Sequence, residues 1–121
     1  MPRTAVALTT PIGSYPVLPL AANAADAVQV AADVANGNAI PFGSAARLLV
    51  VIINTHATLP YAFTTTSAPD GFNRSGDITA YDIQAADVVP LIFNRDGWRQ
   101  SDGNLYISAT NAAVKFIAIQ L

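Results

Sequence analysis

Apolar residues along this 121-residue chain fall in short runs, separated by turn residues at intervals of about 8–12 positions, the spacing of a β-sandwich or barrel. The longest run, Arg47–Asn54 (RLLVVIIN), is continuous rather than alternating. That predicts a central strand covered on both faces. Tyr61–Thr66 (YAFTTT) alternates aromatic and small residues, as a half-buried strand does. Ile78–Ile83 (ITAYDI) also alternates, with Ile78, Ala80 and Asp82 on one side and Thr79, Tyr81 and Ile83 on the other. Val88–Phe93 is the next strand; Pro90 removes a ladder donor and pushes it to an edge or a bulge. Asp102-Gly103 spells a hairpin turn joining a short Trp98–Gln100 strand to Leu105–Ala109. Val114–Leu121 (VKFIAIQL) is the last strand, tied into a sheet.

The pattern is weaker before residue 40. Ala27–Ala32 has a period of two through Val28, Val30 and Ala32, which reads as a strand, although its alanines also suit a helix. Asn36-Gly37-Asn38 is a tight turn needing positive φ, and Pro69-Asp70-Gly71 with Ser75-Gly76 marks a loop. Met1–Leu20 carries Pro2, Pro11, Pro16 and Pro19, which leaves little room for a helix. Residues 1–20 thus read as an N-terminal arm, either an edge strand of its own domain or a segment laid on a neighbour. Residues 21–121 read as one sandwich domain.

Composition strengthens the β reading. The chain has no Glu and a single Lys, Lys115, while eight Asp and five Arg carry its charge. Exposed helices favour Glu and Lys, whereas Asp favours turns and caps. A net charge of −2 with 12% charged residues offers no basic footprint for nucleic acid. Absence of Cys excludes disulfides and thiolate chemistry, and the single histidine, His56, excludes multi-histidine metal sites. Arg3 with Ala5–Leu8 and Ala22-Asn23-Ala24 imitates a signal peptide, but Thr9-Thr10-Pro11 and Gly13–Pro16 break its apolar region. No run approaches the roughly 20 apolar residues of a membrane span. An apolar fraction of 52% with so few charges favours an oligomer or a docked state.

Candidate chemistry is sparse. His56 follows the strongest strand among Asn54, Thr55 and Thr58, without a Gly-x-Ser-x-Gly elbow around any serine, so no triad is expected. Asp77 and Asp82 are five apart on one strand and should face opposite sides, which is wrong for a carboxylate pair. Asp96-Gly97 and Asp102-Gly103 lack the rest of a calcium loop, and Asn73-Arg74-Ser75 is a glycosylation sequon by spelling alone. No catalytic, cofactor or metal residues are expected. The richest constellation is Asn94–Gln100 (NRDGWRQ), where Arg95, Trp98 and Arg99 could anchor a protein contact, with Asp96 help to bind a sugar, or simply belong to a hairpin with Trp98 tucked in.

In layout the chain resembles the small decoration (cement) proteins of tailed-phage capsids. The features that carry the resemblance are the N-terminal thread, Asn23–Gly37 with its Ala-Ala-Asp stretch, and Ala46–Asn54 (ARLLVVIIN) ending in Asn-Thr. Asp70-Gly71, the Ile83–Asp87 (IQAAD) corner before a Pro90-containing strand, and Trp98–Gly103 (WRQSDG) before Leu105–Ala109 continue it. The resemblance implies an all-β, antiparallel β-sandwich of jelly-roll type with an extended arm and no enzymatic activity. It implies a virion location on the capsid exterior after synthesis in the host cytoplasm, packing on the major capsid protein, and a homo-oligomer, commonly a trimer. Two other readings stay open: a carbohydrate-binding head-fibre or attachment module, and a head–tail connector or tail component.

Overall fold

The computed structural model describes residues 2–11, 26–68, 72 and 76–121. Its described residues form ten strands: β1 (Thr4–Ala5), β2 (Leu8–Thr9), β3 (Val30–Ala31), β4 (Asn38–Pro41), β5 (Arg47–Asn54), β6 (Tyr61–Thr66), β7 (Ile78–Ile83), β8 (Val88–Asn94), β9 (Asn104–Ala109) and β10 (Val114–Gln120). Sheet I has the order β1-β4-β9-β6-β7, and sheet II the order β2-β10-β5-β8, with β3 also paired to β10. The chain is therefore all-β, but its sheets are mixed rather than purely antiparallel. β1 runs parallel to β4 and β2 parallel to β10, because the arm lays one two-residue strand along an edge of each sheet. The Pro69-Asp70-Gly71 turn, Ser75, the Asn73–Ser75 sequon and the arm beyond Pro11 lie outside the described residues.

Inward side chains of both sheets meet in one core. Phe42, Phe63, Phe93 and Phe116 are its largest fully buried members, joined by Ile40, Leu48, Val50, Ile52, Leu105 and Ile107. Each such side chain contributes about 1.5–3 kcal/mol by leaving water. Val6, between β1 and β2, is fully buried in the same cluster.

β5 corrects the sequence expectation. It is central, but its burial alternates: Leu48, Val50, Ile52 and Asn54 are buried, while Leu49, Val51 and Ile53 on the other side are only half-buried. A continuous aliphatic run thus covers one core face and one outer face, a case that periodicity alone cannot separate from a doubly covered strand.

β8 is the edge of sheet II, as Pro90 predicted. The bonds from Asn54 N–H to the Asp87 carbonyl and from Arg95 N–H to the Ala46 carbonyl bracket the β5–β8 register. In an antiparallel ladder, hydrogen-bonded pairs alternate, so position 90 faces the free edge. Pro90 costs the ladder no bond and removes a donor that another strand could use.

Three further elements differ from the pattern reading. Only Val30–Ala31 of the expected Ala27–Ala32 strand is a strand, short because β2 occupies the rest of the same β10 edge. β7 does not alternate: Ala80 takes φ +51°, the register with β6 shifts between Phe63 and Thr65, and only Ile83 is buried. Trp98–Gln100 is not a strand, and β9 pairs with β4 and β6 instead. Residues 95–98 form a turn closed by Arg99 N–H on the Arg95 carbonyl at 3.1 Å, with Asp96 extended and Gly97 at φ +99°. Glycine there permits the reversal that directs Trp98 inward.

Candidate functional site

The turn after β8 holds the three residues singled out from sequence, and the fold uses two of them internally. Arg95 donates from Nε and Nη2 to the Ala45 carbonyl at 3.0 and 2.7 Å, a forked charge-assisted contact that fixes the turn before β5. Trp98 packs edge-on against Phe93, ring centroids 4.8 Å apart at 77°, and adjoins the core. Arg99 is exposed. The turn is pinned further by Ala68 N–H on the Gly97 carbonyl at 2.8 Å and by Gln100 Nε2 on the Thr66 and Ser67 carbonyls. Around it Arg95, Asp96, Gly97 and Arg99 line a shallow depression of about 290 Å³. Trp98 is thus a packing residue, and Arg99 with Asp96 is the outward pair.

His56 sits in the β5–β6 loop with its Nδ1 accepting the N–H groups of Thr58 and Leu59 at 3.1 and 3.0 Å. Its ring meets Tyr61 edge-on at 5.5 Å. The nitrogen that a base would use is spent on closing a turn. Asn54, fully buried, holds the same corner: Nδ2 donates to the carbonyls of Leu59, Ile83 and Gln84 at 2.9, 3.0 and 3.3 Å, and Oδ1 accepts His56 N–H. Asp77 and Asp82 are not brought together for chemistry. Asp77 accepts the N–H and hydroxyl of Ser67, which hold its carboxyl below the usual range, and Asp82 is exposed on β7. Among the described residues no group of three or more His, Cys, Asp or Glu could hold a metal ion, and no helix is long and apolar enough to cross a membrane.

A second cluster was not visible in the sequence. The Arg3 guanidinium lies 4.2 Å above the Tyr106 ring, and the Tyr106 hydroxyl donates to Asp102 Oδ2 at 2.6 Å. That bond holds the Asp102 carboxyl below its ordinary range and pushes Tyr106 up. Pro2, Arg3, Ala39, Asp102, Asn104 and Tyr106 line a cleft of about 400 Å³. Gly37, at φ +80°, completes this corner, since a Cβ there would collide with the Arg3 guanidinium. Nearby, Thr4 Oγ1 donates to Asp33 Oδ2 at 2.7 Å, and Asp33 also accepts Asn36 N–H. The described part of the arm is therefore held on its own domain by a cation–π contact and a carboxylate. Asp102 and Tyr106 flank one turn, but Arg3 comes from about a hundred positions away, which no local pattern discloses.

Comparison with protein-family models, with curated proteins and with solved structures gives no match.

Proposed function

We propose that this chain is a non-catalytic structural module that decorates and stabilises a phage capsid, packing on the major capsid protein at the capsid exterior as a homo-oligomer. The observation that carries the reading is the strand order. Numbered one to eight, β3–β10 lie in the orders 1-8-3-6 and 2-7-4-5, and every pairing among them is antiparallel. That order supports reading the sandwich as a jelly roll, two interleaved Greek keys, a scaffold of viral capsid proteins and of lectins. The parallel pairs come only from the arm. Fold alone does not assign function, so the use of polar groups matters as well. Arg95, Trp98 and His56, the best candidates for chemistry, bind the protein's own backbone and core.

The test is quantitative mass spectrometry of purified particles of the encoding phage, normalised to the major capsid protein. A copy number comparable with that protein's is expected. A low number would move the chain to the neck, tail or a fibre, and absence from particles would overturn the structural reading. The carbohydrate reading is favoured by one feature, the Arg3–Tyr106–Asp102 cleft, which combines an aromatic ring with polar groups. Perturbation of Tyr106 resonances by added saccharides is the observation that would bring it forward.

A further inference from the structure

Sheet II has an outer face that is almost wholly aliphatic. The β5 pairings with β8 and β10 place outward residues in rows: Ile119, Leu49 and Ile92; then Ile117, Val51 and Pro90; then Lys115, Ile53 and Val88. Ile92 is 57% and Val88 53% exposed, and Leu121 at the sheet's end is 49% exposed. Among the described residues of these three strands, the charged groups on this face are Arg47 at one end of β5 and Lys115 at the far row of β10, long side chains that can reach the rim.

We infer that this face is a contact between two copies of the chain, stacked sheet on sheet. The inference rests on the reading of the chain as a structural module and supplies its self-contact. Three strands about 4.8 Å apart, with outward residues about 6.7 Å apart along each, give a face of about 15 by 25 Å. Its aliphatic part exposes roughly 500 Å², at the upper end for a monomer. With the rim of Thr9, Ala31, Arg47 and Lys115 the footprint reaches roughly 700 Å², close to the ~800 Å² that each partner gives to a standard interface.

The mode follows from what the other surfaces forbid. Pro90 at the free edge of β8 removes one of the outward donors that sideways strand addition would use, which disfavours extension of sheet II edge to edge. Outward positions of sheet I are Ala62, Thr64, Thr66, Asn104, Tyr106, Ser108 and Asp82, with Ala39 and Pro41 on β4; the Tyr106 ring is already covered by the Arg3 guanidinium, and the rest is mostly polar. Among the described residues no other outer sheet face is as aliphatic, and one self-complementary face gives a closed two-fold pair rather than a filament. The stack is held by flat, already ordered strands, which spares the cost of ordering loops. A two-fold pair departs from the trimer implied by the family resemblance.

The test is sedimentation equilibrium of the full chain from micromolar to submillimolar concentration. A reversible dimer is expected. Ile92→Asp should raise its dissociation constant about 100-fold, the effect of burying a charge where an anchor stood, whereas Thr66→Asp on the exposed side of sheet I should leave it unchanged. Because Ile92 is exposed, the variant should keep its far-UV spectrum; if it does not, Val88→Lys is the second probe of the same face. A monomer at all concentrations, or an oligomer of any size indifferent to these face variants, overturns the inference. Particle copy number tests the decoration reading separately, so either can fail alone.

Discussion

On sheet I, Thr64, Thr66, Ser108 and Asp82 point outward; on sheet II, at equivalent positions, stand Leu49, Val51, Ile53, Ile92 and Ile117. Inside, the two sheets are alike, both contributing Phe, Leu and Ile to one core. The difference lies in what each is asked to face. Small hydroxyl-bearing side chains satisfy a β-strand's preference for branched residues while remaining at ease in water. Aliphatic ones satisfy the same preference and leave surface that favours a cover. Carboxylate stitching follows the same division: the Asp33, Asp77 and Asp102 networks brace sheet I or the arm against it, whereas the ends of sheet II are tied by Arg95 and Asn54.

The comparison can be pressed hardest on β5, whose two faces share one backbone. Ile52→Ala, facing inward, should cost about 2–5 kcal/mol by leaving a cavity, whereas Val51→Ala, facing outward, should cost under about 1 kcal/mol in the monomer. Urea unfolding at low protein concentration measures both, and equal losses would show that the outer face is covered within one chain. A smaller effect is expected on β6. Thr65 is fully buried, and its hydroxyl has no hydrogen-bond partner among the described residues. Thr65→Val keeps the shape and should stabilise by about 1 kcal/mol, while Thr66→Val on the exposed, outward side of the same strand should change stability little. Next comes Ala80, whose φ of +51° is unfavourable for a residue with a Cβ. Ala80→Gly should gain about 0.5–1 kcal/mol after the added freedom of the unfolded chain is counted, as an upward shift in thermal midpoint.

The smallest effect is with pH and should separate the sheets. Hydrogen bonds from the Thr4 hydroxyl, Ser67 N–H and the Tyr106 hydroxyl hold the carboxyls of Asp33, Asp77 and Asp102 below their ordinary values. A carboxylate depressed in the folded state stabilises it above the unfolded-state value, and that contribution disappears as pH falls through the depressed one. Acid should therefore loosen β1, β4, β7 and β9 before β5 and β10. Hydrogen exchange corrected for intrinsic rates would show this, and uniform loosening would break the distinction.

Local patterning carried much of this architecture. The apolar runs located β5, β6, β8 and β10; Pro90 marked an edge; Asn36-Gly37-Asn38 marked a turn where Gly37 takes φ +80°. Cross-strand and long-range facts escaped. Alternation in ITAYDI gave no warning that Ala80 would take a left-handed conformation and shift the register. Nothing around Trp98 disclosed that Phe93 would receive it, and nothing near Arg3 pointed to Tyr106. A run such as RLLVVIIN is equally apolar on both sides, so which side meets the core depends on partners that local sequence does not contain.

The arm has a kinetic consequence. Thr4–Ala5 lies on sheet I and Leu8–Thr9 on sheet II, with Val6 buried between them, so four residues near the start of the chain clasp both layers at one corner. Leu8 meets Ala118, a contact of very long sequence separation, and such contacts are expected to form after the intervening chain has condensed. Loosening the clasp with Val6→Ala should therefore quicken unfolding far more than it slows folding. The corner is thus expected to act as a latch, fastened late and slowing the opening of the folded molecule.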